Sequence, residues 1–241
     1  MRKVLGCIRK ADEEFKLIEE GDRICVGVSG GKDSSLLLYA LGLYRKFCKV
    51  NFEVVGVHVE MGFGGMDFSE ADEFFKKNDI PFHHEPSNIA EILEAQKTDD
   101  GRFKCSLCSK LKKATVIEGA KKYGCNKVAF GHHGDDAVET LFMNMIYGGA
   151  IATFVPKMYM DRTDVTFIRP LVLAYESDIV AASNEASIPV VISTCPEDKQ
   201  TKREEFKHLL HDLYQKYPMA KHNLLLALKN EEQIRLWTHD N

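Results

Sequence analysis

The sequence lacks several features that mark whole classes of proteins. Its longest apolar run, near residues 36–44, is far shorter than the roughly 20 residues that span a membrane, so no membrane association is expected. Internal repeats, low-complexity tracts and a secretory leader pattern are missing, and we therefore expect a cytoplasmic protein. The net charge is −4, without the basic excess that is typical of a dedicated nucleic-acid binder.

Cysteine is present in a pattern that argues against a disulfide framework. There are seven cysteines, an odd number, with no secretory signal. Cys105 and Cys108 form a Cys-Ser-Leu-Cys pair, but the second pair that a structural zinc site would need is missing. Cys195 is the only other cysteine in a polar, loop-like segment. The remaining four are predicted to be structural: Cys7, Cys25, Cys48 and Cys125.

Hydrophobic patterns alternate between those of strands and those of helices. Short apolar runs predict strands at 23–28, 52–60, 80–85, 127–131, 155–159 and 165–168. Helical periodicity and end signals predict helices at 4–18, 33–47, 69–78, 88–96, 108–123, 135–147, 176–186 and from 201 to the end. This alternation predicts an α/β fold with a single Rossmann-like parallel sheet and helices on both faces. We expect one domain over 1–241, with an N-terminal helix at 1–20 and a C-terminal helical extension at 200–241.

The strongest local signal is a hexapeptide that joins the first predicted strand to the next helix. Its residues are Ser29, Gly30, Gly31, Lys32, Asp33 and Ser34. Adjacent glycines let backbone N–H groups face an anion, and the helix N-terminus adds the positive end of its dipole. Lys32 adds a full charge and Ser34 a hydroxyl donor. The segment predicts a site for the phosphates of ATP, and an ordinary glycine turn before a helix is the alternative.

The ends of two further strands are predicted to complete this site, because open α/β sheets bind ligands at the carboxyl ends of their strands. The second strand ends near Val57 and His58, whose backbone we expect to meet adenine. The fourth ends at Gly131, shortly before a pair of aspartates. Since Mg²⁺ takes carboxylate and phosphate oxygens, Asp136 is predicted as a Mg²⁺ ligand or general acid/base, with Asp33 as the second candidate. The alternative is that acidic residues simply suit a first helical turn.

The three cysteines in polar settings also suggest a site. Thiolates of Cys105, Cys108 and Cys195 would suit a 4Fe-4S cluster with one iron left open to hold a hydrosulfide. A dithiol relay that carries a persulfide is the alternative.

Taken in order, these segments resemble the tRNA 2-thiocytidine synthetase family of the PP-loop ATP pyrophosphatases. The resemblance rests on residues 18–23, 29–34, 105–109, 131–133, 135–136, 139–142 and 168–171. It implies an enzyme that cleaves ATP to AMP and pyrophosphate and thiolates a cytidine in the anticodon loop of tRNA. It implies a 4Fe-4S cluster on Cys105, Cys108 and Cys195, and catalytic roles for Lys112 and Asp136. A sulfur donor, either sulfide or a cysteine desulfurase, and a homodimer are further expectations.

Two basic runs are expected to hold tRNA phosphates, although solvated helix faces would give the same pattern. They comprise Lys104, Lys110, Lys112, Lys113, Lys121, Lys122 and Lys127, and then Lys199, Lys202, Arg203 and Lys207. The chain departs from the family pattern at Ile192, where a cysteine is usual, and at Lys112-Lys113-Ala114, where Arg-Arg-Gly is common. The alternatives are a sulfurtransferase for another RNA base or a small molecule, a nitrogen-adding ligase of the lysidine synthetase type, and a non-catalytic sensor.

Overall fold

A computed structural model describes residues 1–98, 101–195 and 202–236 of the chain. The chain divides into two compact units. The first comprises Met1–His133 and Val155–Gln200, and the second Gly134–Phe154 and Thr201–Asn241. The expectation of one domain over 1–241 stays a prediction. Lys199 and the expected helix start at residue 201 lie outside the described residues.

The first unit is built on one sheet. In the described residues its strands are β1 (Arg23–Gly27), β2 (Glu53–Glu60), β3 (Phe82–Pro86), β4 (Lys127–Ala129), β5 (Lys157–Met160) and β6 (Val165–Ile168). Their order across the sheet is β3-β2-β1-β4-β6-β5. All neighbouring pairs are parallel except β5 and β6. The α/β prediction is confirmed, with this one difference. A turn of only four residues joins β5 to β6, and so short a connection permits only antiparallel pairing.

Helices occupy most of the remaining described chain. They are α1 (Arg2–Phe15), α2 (Lys32–Tyr44), α3 (Ser69–Lys77), α4 (Ile89–Ala95), α5 (Cys105–Lys122), α6 (Gly134–Gly148), α7 (Glu176–Glu185), α8 (Lys202–Lys216) and α9 (Ala220–Ala227), followed by a 3₁₀ turn at Glu231–Gln233. Helices α6, α8 and α9 belong to the second unit. Between α8 and α9 lies Pro218, which cannot donate an N–H and disfavours a helical Tyr217. Within the predicted C-terminal helical extension, the described residues thus form two α-helices separated at Pro218.

Helices cover both faces of the sheet in the first unit. On one face, Cys25 and Val57 share a buried cluster with Val116 of α5. On the other, Gly56 lies so close to α2 that an added Cβ would stand 2.4 Å from the Leu38 side chain. Successive residues of a strand point to opposite faces, so this alternation places α5 and α2 on opposite sides. The carboxyl ends of β1, β2 and β4 are parallel neighbours at one edge.

Candidate nucleotide and thiol site

The hexapeptide at 29–34 forms a compact turn between β1 and α2. The hydroxyl of Ser34 donates to the carbonyl of Gly31 at 3.1 Å, and the backbone N–H of Ser29 donates to Ser34 Oγ at 3.1 Å. Gly30 has φ 89°, a conformation that favours glycine, and an added Cβ would lie 3.0 Å from the Val191 side chain. The first N–H groups of α2 have no partner within their own helix, so the turn presents an anion-binding end of a helix.

Gly131 packs directly against this turn. An added Cβ at Gly131 would lie 3.0 Å from the carbonyl carbon of Asp33 and 3.0 Å from the backbone nitrogen of Ser34. Both contacts are to backbone, which cannot move aside without disturbing the first turn of α2. The structure thus brings Gly131 and the hexapeptide together, as the sequence predicts.

Lys32 is surrounded by carboxylates. Its Nζ lies 2.9 Å from Oε1 of Glu176 and 3.1 Å from Oδ1 of Asp33. Burial lowers the pKa of Lys32, but the hydrogen bond to Glu176 and the charges of Asp33 and Glu176 outweigh it, so the net pKa is raised. The ammonium therefore stays protonated at neutral pH. Sequence reasoning missed Glu176; the one available signal was an acidic residue at a predicted helix start.

A cavity of about 460 Å³ opens beside the turn, at the carboxyl ends of β2 and β3. It is lined by His58, Glu60, Met61, Gly62, Phe63, Gly64, Gly65, Met66, Phe68, Ser69, Asp72, His84 and Thr194. Gly30 adjoins the same wall, since an added Cβ there would lie 3.1 Å from the Phe68 ring and 3.3 Å from Met66. The cavity therefore shares side chains with the hexapeptide turn.

His58 is the buried polar group of this cavity. Its ring lies 3.9 Å from that of Phe68, and its Nδ1 lies 2.9 Å from the carbonyl oxygen of Val28. Burial lowers the pKa of His58, so the imidazole is neutral at neutral pH. A carbonyl can only accept, so Nδ1 carries the hydrogen and Nε2 is left as an acceptor. The Val57 carbonyl, by contrast, accepts a hydrogen bond from the backbone N–H of Val28 at 2.8 Å, and only His58 of the predicted pair lines the cavity.

The three predicted thiols belong to the same unit. Cys105 and Cys108 lie in the first turn of α5, which begins at Cys105 and not near Cys108 as predicted. Burial raises the pKa of Cys108, nearby Lys112 lowers it, and the thiols of Cys195 and Cys105 raise it further. The thiols therefore lie close enough to influence one another. Cys25 and Cys125, predicted to be structural, are buried in the core.

The charge of Lys112 affects one group of the thiol set and one group of the cavity. Its charge acts on Cys108 and also lowers the pKa of His58. Thr194, which precedes Cys195, contributes to the cavity wall. Cys195 therefore directly follows a residue of the cavity wall.

The donor chemistry of this thiol set fits an iron–sulfur cluster, because thiolates are the ligands of such clusters. Within the described ranges, however, no three His, Cys, Asp or Glu side chains are grouped so that they could hold a metal ion. Cys105 is exposed and Cys108 and Cys195 are half-buried, so none of the three is enclosed in the core.

Asp136 belongs to the second unit, in the first turn of α6. Its Oδ1 lies 3.2 Å from Nη1 of Arg203, which also lies 3.2 Å from Oε2 of Glu139. The neighbouring Asp135 pairs with Lys221 at 2.6 Å. Burial, and then the charge of Asp136, raises the pKa of Glu139 to about 7. The role of Asp136 as a Mg²⁺ ligand or general base stays a prediction.

The first basic run is mostly on the surface of α5 and the segment before it. Exposed lysines there are Lys104, Lys110, Lys112, Lys113, Lys121 and Lys122. Lys127 is different: its Nζ is buried 2.6 Å from Asp22 and donates to the carbonyl of Leu17. The inclusion of Lys127 among phosphate-binding residues is therefore wrong, because its ammonium is buried and paired with Asp22. In the second run, Lys202 pairs with Glu205 at 2.9 Å.

No helix in the described ranges combines the length and apolar character needed to cross a lipid bilayer.

A parallel sheet with a glycine-containing turn at the start of its second helix defines a class of nucleotide-using domains, and the family comparison agrees. The sequence model of the PP-loop domain family matches residues 6–213. The chain is 38% identical over 231 residues to the tRNA-cytidine(32) 2-sulfurtransferase of Pelobacter propionicus, covering 95% of this chain and 86% of the relative. It is 36% identical to that of Citrifermentans bemidjiense, covering 92% of this chain and 88% of the relative.

The chain belongs to the PP-loop domain family and, within it, to the family of the tRNA-cytidine(32) 2-sulfurtransferases. The family resemblance seen in the sequence motifs is confirmed. Among solved structures, the U34-tRNA thiolase NcsA of Methanococcus maripaludis, described with its 4Fe-4S cluster, has the same fold. Its TM-score is 0.77 at 22% identity, over 98% of this chain and 81% of that one.

Proposed function

We propose that this chain is an ATP-dependent sulfurtransferase that replaces the C2 oxygen of a cytidine in tRNA by sulfur. The observation that carries the proposal is that Thr194, which precedes Cys195, lines the cavity next to the hexapeptide turn. Lys112 supports it, because its charge lowers the pKa of both Cys108 and His58. A site that activates a base with ATP and then delivers sulfur needs both parts within reach of one substrate atom.

ATP is proposed to bind with its β- and γ-phosphates in the turn at 29–34. The N-terminus of α2 and the ammonium of Lys32 supply positive charge there. Adenine is proposed to lie in the cavity, where its exocyclic amine finds acceptors in His58 Nε2 and in the carboxylates of Glu60 and Asp72. Phe68 and Phe63 offer aromatic surface for stacking. Asp136 is proposed as a magnesium ligand or general acid/base, with Asp33 as the second candidate, since carboxylate and phosphate oxygens are the usual ligands of magnesium.

The proposed reaction has two steps. The C2 oxygen of the cytidine attacks the α-phosphorus of ATP, and pyrophosphate leaves into the turn held by Lys32. A hydrosulfide-class nucleophile then attacks C2, and AMP departs with the original oxygen. A 4Fe-4S cluster held by Cys105, Cys108 and Cys195 would supply the site at which that sulfur is held. Burial raises the pKa of Cys108, and the positive charge of Lys112 partly offsets this effect.

The exposed lysines of α5 are proposed to bind tRNA phosphates. Lys110 and Lys113 lie on the same helix as the thiol pair, so phosphate contacts there would set the position of the target base. Because C2 is inaccessible inside a duplex, the cytidine is proposed to sit in a loop and to be turned outward. A sulfur donor, either sulfide or a cysteine desulfurase, a homodimeric assembly and a cytoplasmic location are part of this proposal.

The test is a reconstituted reaction with MgATP, a sulfide source and unmodified tRNA. Digested tRNA is analysed by mass spectrometry for 2-thiocytidine, and the solution for AMP and pyrophosphate. We expect all three products from the wild type and loss of 2-thiocytidine from Cys108→Ser. Cys48→Ser, a cysteine away from the site, is the matched control and should retain activity. Unchanged thiolation by Cys108→Ser, or AMP formation with a nitrogen-containing product, would overturn the proposal.

A further inference from the structure

The contact between Lys32 and Glu176 joins two helix starts that are far apart in sequence. Lys32 is the first residue of α2, and Glu176 is the first residue of α7. The Nζ–Oε1 distance is 2.9 Å across a separation of 144 residues. The two side chains are 31% and 29% exposed, so water screens this pair less than it screens a surface pair. The fold thus brings a carboxylate to the ammonium that is proposed to hold the leaving pyrophosphate.

The ammonium of Lys32 has a limited number of hydrogens to offer. It carries three N–H donors and no acceptor. Oε1 of Glu176 accepts a hydrogen bond from Nζ at 2.9 Å, and Oδ2 of Asp33 accepts another at 3.3 Å. If each carboxylate takes one donor, one N–H remains, and its direction is fixed by the other two. A free lysine, by contrast, has a flexible stem and would sample many directions.

We infer that Glu176 is a positioning residue that fixes the direction of Lys32 Nζ, so that the remaining N–H meets the pyrophosphate group of ATP. This inference rests on the proposed ATP-dependent function. Glu176 does not touch the phosphates in this scheme and acts only through Lys32. Its negative charge beside a triphosphate opposes ATP binding, so its contribution is to orientation and not to affinity.

Loss of the Glu176 charge should affect kcat and the KM for ATP in different directions. Glu176→Gln keeps an oxygen in place but removes the charge that orients the ammonium. We expect kcat for AMP formation to fall by about tenfold to about a hundredfold, as for a misplaced catalytic group. The KM for ATP should stay the same or decrease, because a repulsive charge has gone. Glu176→Asp, which retains the charge on a shorter stem, should recover part of kcat.

Asp178→Asn is the matched control. Asp178 lies in the same first turn of α7, but its carboxylate pairs with Lys3 of α1 at 2.7 Å. This variant removes a carboxylate from the same helix turn without touching Lys32. We expect it to lower the thermal midpoint as much as Glu176→Gln does, and to leave kcat unchanged.

A double-mutant cycle with Lys32→Ala tests whether Glu176 acts through Lys32. Each variant is measured for kcat, for KM and for MgATP affinity by titration calorimetry. In the Lys32→Ala background, Glu176→Gln should have no further effect on kcat. An equal fall in kcat with and without Lys32, an unchanged kcat in Glu176→Gln, or a KM that rises while kcat holds would overturn the inference.

The calorimetry separates this inference from the proposed function. If the wild type does not bind MgATP, the proposed function fails and the inference falls with it. If the wild type binds MgATP and forms AMP, but Glu176→Gln does so equally well, only the inference fails.

Discussion

The ammonium of Lys127 lies 2.6 Å from the carboxylate of Asp22, and both side chains are 4% exposed. Lys127 begins β4, and its Nζ also donates to the carbonyl of Leu17, so the pair ties the N-terminal segment to the sheet. A buried pair of this kind contributes little net stability, but removing one partner leaves an uncompensated buried charge. This relationship separates Lys127 from the surface lysines that precede it in sequence.

Lys127→Met should therefore destabilise the protein without weakening tRNA binding directly. We expect the free energy of unfolding to fall by about 3–5 kcal/mol, because Asp22 is left buried without its cation. Urea denaturation followed by circular dichroism measures this, with Lys49→Met as an exposed control. A variant as stable as the wild type would show that the pair is not formed in solution.

Gly131→Ala should impair ATP binding through the backbone of α2. The new Cβ would lie 3.0 Å from Asp33 and Ser34 backbone atoms, and overpacking of this kind typically costs about 1–3 kcal/mol. We expect MgATP affinity to fall by roughly tenfold, as measured by titration calorimetry. Gly148→Ala is the matched control, since an added Cβ at Gly148 has no atom within 4 Å. Equal affinities in the two variants would contradict the close approach of Gly131 to the turn.

Cys195→Ser should reduce the iron and acid-labile sulfide bound after anaerobic reconstitution. The three thiols are the proposed ligands, and removal of one leaves too few thiolates to hold the cluster firmly. Absorbance and EPR spectra, together with metal analysis, compare the variant with the wild type and with Cys48→Ser. A wild type that binds no cluster even after reconstitution would favour the persulfide relay on Cys105 and Cys108.

Glu139 should give the second unit a dependence of stability on pH. Its folded pKa of about 7 exceeds the usual value, so the folded state binds more protons than the unfolded state between about pH 4 and pH 7. The contribution of Glu139 to stability is complete below about pH 4 and declines as pH rises towards 7. Across this window the loss should be about 1–3 kcal/mol.

Urea denaturation at intervals from pH 4.5 to pH 8 measures this slope. Glu139→Gln should flatten it, because an amide does not titrate. Glu118→Gln, on the exposed surface of α5, should keep the wild-type slope. The same slope in the Glu139→Gln protein would show that another group is responsible.

Much of the first unit could be read from the sequence because its signals are local. The Val-rich run of β2 and the glycine turn at 29–34 each depend on neighbouring residues, and both were placed correctly. Contacts between residues far apart in the chain could not be predicted from such local signals. The pairing of Lys32 with Glu176 depends on how the segment after β6 returns to α2. The burial of Lys127 depends on Asp22, which lies more than a hundred residues earlier. The basic run therefore wrongly predicted a surface position for Lys127.

Two details of the helices differ in how clearly the sequence marks them. Pro218 marks the break between α8 and α9. A proline is unfavourable inside a helix, so the sequence does signal this break. The start of α5 is less clear from sequence, because Lys104 offers no capping side chain. The first turn of α5 therefore includes both thiols of the pair, one helical turn apart.

The backbone N–H of Val191 donates to the carbonyl of Gly30 at 2.9 Å. This hydrogen bond holds the segment before Cys195 against the turn at 29–34. Cys195 is four positions after Val191, and an extended chain spans at most about 14 Å over four such steps. Cys195 therefore stays within this distance of Val191, which is hydrogen-bonded to Gly30 of the turn. In the proposed reaction, a base activated at that loop has only this short path to the sulfur chemistry, and an adenylated intermediate need not be released into water between the two steps.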